Sequence, residues 1–152
     1  MIGIIGAMEV EIALLKSSMR EYDVVRLAGM DFFKGELKGK DVVVVRSGVG
    51  KVNAAVCTQI LADRFGVDKV INTGVAGSLD AGIDIGDIVV STDAIQHDMH
   101  AEIFGYEPGE IPQMKKRAFE ADRKLIELAV DSCRRVNPDI GVHKGRIISG
   151  DC

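Results

Sequence analysis

Residues 41–66, "DVVVVRSGVGKVNAAVCTQILADRFG", join an apolar run to a glycine-rich turn and then to a helical stretch. Four consecutive valines form an apolar run that reads as a β-strand. The 51–66 segment reads as a helix that Gly66 stops. A glycine turn between a strand and a helix is a common place to hold an anion, and Lys51 gives this one the look of a shortened phosphate loop. The detailed match fails. A Walker loop needs four residues between its glycines and a hydroxyl after the lysine. Here Val49 alone separates Gly48 from Gly50, and Val52 follows Lys51. The dinucleotide fingerprint fails at its third glycine, where Asn53 stands. Two readings remain open: a tight strand-to-helix turn, or a close backbone approach to something small.

The same alternation runs outward from this segment. "IGIIG" at 2–6 is an apolar strand, and 8–20 carries Ile12, Leu14, Leu15 and Met19 at near-helical spacing. "YDVVRLAGMDFFKGELKGKDVVVVRS" reads as strands with a turn at Lys38-Gly39-Lys40. Strands are expected at 68–74, at 87–98 and in the closing "HKGRIISGD", with an amphipathic helix at 121–136. A long loop after residue 98 carries Gly105, Pro108, Gly109 and Pro112. Strands alternating with helices argue for a mixed, mainly parallel sheet covered by helices, built as one domain over residues 1–152.

Composition narrows the function classes. The 152 residues are 47% hydrophobic and 28% charged, as in a soluble globular domain. The net charge of −4 comes from 19 basic and 23 acidic residues, and no segment concentrates the basic ones. Nothing therefore argues for nucleic acid or an anionic membrane. No apolar run approaches the roughly 18 residues of a membrane span. "MIGIIGAMEVE" lacks the pattern of a signal peptide, and three scattered cysteines fit a reducing compartment. Together these point to the cytoplasm. Cys57 and Cys133 read as small buried apolar residues; Cys152 permits no judgement.

Ligands of such sheets bind beyond the carboxyl ends of the strands, where "GAMEVE", "SGVGK", "NTGVAGS" and "HDMHAEIFGYEPG" fall. Glu9 and Glu11 lie two apart on a helix and point in different directions, so they should not share a role. Both suit the positive end of a helix dipole, and Glu11 also suits a general base aimed into a crevice. Gly74, Ala76 and Gly77 either let a flat ligand lie against the backbone or serve close packing. His97, His100 and His143 do not read as a metal site: His97 and Asp98 point to opposite faces of an extended run, and no further ligand falls at the right spacing.

Taken in order, "GIIGAMEVE", "SGVGKVNAA", "INTGVAGSL", "GDIVVS", "HDMHAEIFGYEPGEIP" and "ISGD" resemble the bacterial 5′-methylthioadenosine/S-adenosylhomocysteine nucleosidases over essentially the whole chain. The resemblance implies the nucleoside phosphorylase/hydrolase fold, a three-layer α/β/α sandwich. It also implies a homodimer, no metal or organic cofactor, and hydrolysis of the adenine–ribose bond in methionine salvage. Glu11 would deprotonate the attacking water. Met8 and Val49 would contact the apolar 5′-thioalkyl group, with Lys51 turned away. Ala76 and Gly77 would border the purine. Ala101, Phe104 and Pro112 would close the partner's 5′ pocket; read by themselves, Phe104 and Tyr106 would anchor the loop to their own subunit. Related phosphorylases hold phosphate partly through an arginine and a serine in the stretch matching "NTGVAG". The matching positions here are Asn72 and Val75, neither of which grips a dianion. Water is the better nucleophile for that pocket.

Family members continue well past "SGD". The later segment supplies an apolar or aromatic residue against adenine, a Met-Glu pair for the ribose hydroxyls and an aspartate that protonates adenine. The resemblance therefore implies the N-terminal portion of a C-terminally incomplete domain, and Asp151 belongs to a loop rather than replacing that acid. Two other readings differ in kind: a phosphorylase of the same fold, and a non-catalytic nucleoside-binding module.

Overall fold

The computed structural model describes residues 1–151; Cys152 lies outside the described residues. The chain divides into two compact units, Met1–Ala76 and the residues from Gly77 onward.

The first unit contains β1 (Ile2–Gly6), α1 (Glu9–Ser17), β2 (Tyr22–Leu27), β3 (Met30–Leu37), β4 (Lys40–Arg46), α2 (Lys51–Phe65) and β5 (Lys69–Asn72). Its sheet has the order β2-β3-β4-β1-β5. β4, β1 and β5 run parallel, while β2, β3 and β4 form an antiparallel meander. Each hairpin turns on two residues with positive φ, Ala28 (49°) with Gly29 (76°) and Lys38 (48°) with Gly39 (77°). Such mirror-image turns match the twist of the flanking strands.

The apolar runs of β1 and β4 are explained by their two covered faces. Ile5, Val43, Val45 and Phe32 pack with Cys57 and Leu61 of α2. Ile4, Val42 and Val44 pack with Ile12 of α1 and with Met19. This unit is thus a three-layer α/β/α arrangement. Full burial of a side chain such as Phe32 or Leu61 contributes about 1.5–3 kcal/mol. α2 ends at Gly66, whose φ of 63°, with the bonds from Gly66 N–H to the Ala62 carbonyl and from Val67 N–H to the Leu61 carbonyl, closes the helix as expected. Cys57 is fully buried, and burial pushes its thiol pKa up to about 11, which fits a packing role.

The second unit contains β6 (Ile88–Gln96), β7 (Ala118–Glu120), α3 (Arg123–Val136) and β8 (Val142–Ser149). The order is β7-β6-β8, with β6 parallel to β8 and antiparallel to β7. Asp122 caps α3 by accepting the Leu125 N–H at 2.9 Å, and Ile126 and Val130 form the buried stripe of that helix. The start of β8 is tied to that of β6 by Asp87, which accepts from Gly141 N–H at 2.9 Å and lies 3.0 Å from His143 Nε2. Where one mixed sheet was expected, the described strands form two. Their pairings are three parallel and three antiparallel. Among the described residues, no helix is long and apolar enough to cross a membrane.

Candidate active site

The three parallel strands of the first unit finish side by side. Gly6 pairs with Arg46, and Ile5 with Asn72. The ladder extends one step beyond the strands: Ser47 N–H donates to the Gly6 carbonyl and Thr73 N–H to the Ile5 carbonyl, both at 2.9 Å. The segments 7–8, 47–50 and 73–76 therefore leave one edge of the sheet together, the edge at which open α/β sheets hold ligands.

Glu11 sits at this edge, on the first turn of α1. Its Oε2 accepts the Met8 N–H at 2.9 Å, and its Oε1 accepts the Val75 N–H at 3.3 Å. The first bond caps the helix. The second ties α1 to the loop after β5, which a glutamate serving the helix alone would not do. Each oxygen keeps an acceptor position beyond these bonds, and the side chain is half-buried rather than turned into bulk solvent. Glu9 has a different role. Lys16 Nζ reaches its Oε1 at 2.6 Å and, with a smaller contribution from Arg46, holds the Glu9 carboxyl below its ordinary pKa. The two glutamates thus divide their work, as their spacing predicts.

The glycine loop takes its shape from positive φ at Gly48 (84°) and Gly50 (101°). Asn53, at the position that defeats the dinucleotide fingerprint, donates from Nδ2 to the Val49 carbonyl at 2.6 Å. Sequence reading missed this role; an amide one turn into the helix after two glycines is the available signal. The buried Ser47 hydroxyl donates to the Gly48 carbonyl at 2.9 Å. A cavity of about 360 Å³ opens beside the loop, lined by Met8, Glu9, Met30, Ser47, Gly48 and Val49 among others. Met8 is 38% exposed and Val49 73% exposed, so both apolar side chains are available there. Glu11 does not line this cavity. Met8 links the two, because it lines the cavity while its N–H binds the Glu11 carboxylate.

Met8, Val49, Val75 and Ala76 thus lie on the three neighbouring loops of the first unit, and Glu11 on the helix turn that follows the first of them. The Val75 side chain is 82% exposed, and its backbone N–H is the part that engages Glu11. The other candidates belong to the second unit. Gly77 is exposed, Ala101 is buried at 5% exposure, Pro112 is half-buried, and Phe104, on a short 3-10 turn at Glu102–Phe104, is 76% exposed. His143 is engaged by Asp87 and His100 lies 3.3 Å from Glu102. Among the described residues, no group of three or more His, Cys, Asp or Glu side chains is placed to hold a metal ion.

A fixed carboxylate and two small-residue loops thus stand together at the carboxyl ends of the parallel strands, the place where open α/β sheets hold ligands. The chain belongs to the phosphorylase superfamily, whose family model matches residues 1–152. It is 45% identical over 150 residues to the 5′-methylthioadenosine/S-adenosylhomocysteine nucleosidase of Tolumonas auensis, covering 99% of this chain and 64% of that protein. The nucleosidase of Colwellia psychrerythraea, solved with adenine, superposes with a TM-score of 0.95 at 44% identity, over 99% of this chain and 62% of that one. The enzyme of Neisseria meningitidis, solved with methylthio-immucillin-A, gives 0.93 at 42% identity, over 99% and 64%. The fold is thus the nucleoside phosphorylase/hydrolase fold, and the chain spans less than two thirds of the length of these relatives.

Proposed function

We propose that the full-length protein hydrolyses the N-glycosidic bond of 5′-methylthioadenosine and S-adenosylhomocysteine, releasing adenine and the 5-thioribose product. The observation that carries this reading is the Glu11 carboxylate, held by two backbone N–H groups at the meeting point of three parallel strand ends. Those bonds fix the group without occupying it. A water held on its remaining acceptor position can attack the anomeric carbon as the glycosidic bond breaks. The carboxylate takes the water's proton, and the bonding electrons leave with adenine, which must itself be protonated. The negative charge beside the sugar also favours the cationic transition state.

Substrate contacts follow from the same loops. Met8 and Val49 offer apolar surface to a 5′-thioalkyl group, while Ala76 leaves room for a purine against backbone. The proton donor to adenine and the ribose-binding glutamate implied by the resemblance are not among residues 1–152, so the reaction is assigned to the full-length protein. The family match runs unbroken through both units, which supports a single nucleosidase-like domain. Exposed Phe104 and its neighbour Ile103, 88% exposed, support a homodimer in which this loop meets the partner. The free cysteines Cys57 and Cys133 support a cytoplasmic setting, where methionine salvage would use the reaction.

Adenine release from methylthioadenosine by the full-length protein, with and without inorganic phosphate, tests the reading. Hydrolysis predicts equal rates and free methylthioribose. Phosphate-dependent release with a sugar 1-phosphate product would make it a phosphorylase, and binding without release would make it a nucleoside-binding module.

A further inference from the structure

Two glycines lie against Glu11. At Gly74 a Cβ would stand 2.9 Å from Glu11 Oε1, 3.3 Å from Cδ and 3.6 Å from Oε2. At Gly6 it would stand 2.7 Å from Ile12 Cγ2 and 3.0 Å from Glu11 Cβ. The two positions differ in kind. Gly6 faces Ile12 of the packed core as well as the stem and, at 3.4 Å, Oε2 of Glu11, so a methyl group there has nowhere to go. Around Gly74 the three nearest atoms all belong to the end of the Glu11 side chain. The φ of Gly74 is outside the left-handed region, so its backbone accepts any residue. What glycine supplies at position 74 is therefore not a turn. It is a vacant volume that the carboxylate fills.

From this we infer that Gly74 is a positioning residue for the reaction: the missing side chain forms a notch that seats Oε1 of Glu11 beneath the Val75 N–H and sets where the attacking water is held. The inference rests on reading Glu11 as the general base. A methyl group at position 74 moves the carboxylate, because the free end of a flexible side chain yields before the backbone does. The displacement needed to restore ordinary contact is a fraction of an ångström, and misplacement on the order of an ångström lowers rates by about 100-fold.

The test is a double-mutant cycle in the full-length protein, with kcat, KM and Tm measured for the parent, Gly74→Ala, Glu11→Gln and the double variant. Gly74→Ala is expected to keep its Tm within about 2 °C and its KM within about threefold while kcat falls about 10- to 100-fold. In the Glu11→Gln background the same substitution should change the residual rate less than about twofold, because its effect passes through the carboxylate. A parental kcat for Gly74→Ala overturns the notch, as does an equal loss in both backgrounds. A parental rate for Glu11→Gln alone removes the base assignment, and the inference with it, so the two failures are distinguishable. If Gly74→Ala lowers Tm, pairing it with Glu11→Asp, whose carboxylate is drawn back by one methylene, should restore it; a fall that persists there overturns the inference.

Discussion

Asn53 Nδ2 donates to the carbonyl oxygen of Val49 at 2.6 Å, so the first turn of α2 grips the loop that precedes it. The bond spans four residues and holds in place two glycines whose backbones would otherwise sample many conformations. Asn53→Ala is expected to destabilise the protein by about 1 kcal/mol. In the full-length protein it should also raise KM for methylthioadenosine more than it lowers kcat, because Val49 is assigned to binding. Urea unfolding and steady-state kinetics check both parts.

Gly35 faces a harder limit than any glycine of the site. A Cβ there would stand 2.1 Å from the Glu21 carbonyl oxygen and 2.9 Å from Tyr22 Cα, both backbone atoms of the paired segment. Gly35→Ala must push β2 and β3 apart. The expected loss is about 3 kcal/mol, the upper end for overpacking, read as a lowered urea midpoint.

Leu61→Ala removes a fully buried side chain from the cluster between α2 and the sheet. The expected destabilisation is about 2–5 kcal/mol. Val52→Ala, one of the exposed apolar positions of the same helix at 74% exposure, is expected to change monomer stability by less than about 0.5 kcal/mol. Chemical denaturation of the pair separates a core position from a surface one.

The sequence made β1 and β4 legible because the first is an apolar run ending in glycine and the second is one followed by a glycine-bearing turn. The strand-to-helix turn at 47–50 and the helix stop at Gly66 each rest on one local signal, and both are present. The Ala28-Gly29 turn was missed because alanine gives no hint of positive φ; only Gly29 marked it. β7, at Ala118–Glu120, was missed because three residues are too few to show an alternation. The division into two sheets could not be read at all, since strand pairing between distant segments is decided by register and packing rather than composition. At the site, the separation of Glu9 from Glu11 was readable from helical spacing. The bond from Val75 N–H to Glu11 was not, because it joins residues 64 apart through backbone.

Asp87 provides a pH test in the second unit. Its carboxyl is held below the ordinary carboxylate range, chiefly by the bond to His143 and then by the Asp84 and Gly141 N–H groups. A pKa lowered by folding adds stability that is fully present above the unfolded value of about 3.9 and is lost as pH falls through the folded value. The Tm difference between the parent and Asp87→Asn should therefore persist at pH 5 and shrink below about pH 4. A difference that stays constant down to pH 2 contradicts the assignment.

The central claim is that one fixed N-terminal carboxylate turns a nucleoside pocket into a hydrolase. Its most direct measurement is adenine release by full-length Glu11→Gln, with methylthioadenosine affinity measured by calorimetry on the same preparation. The account predicts release at least about 100-fold slower than the parent, as for loss of a general base, with affinity within about threefold. Release at the parental rate would contradict it.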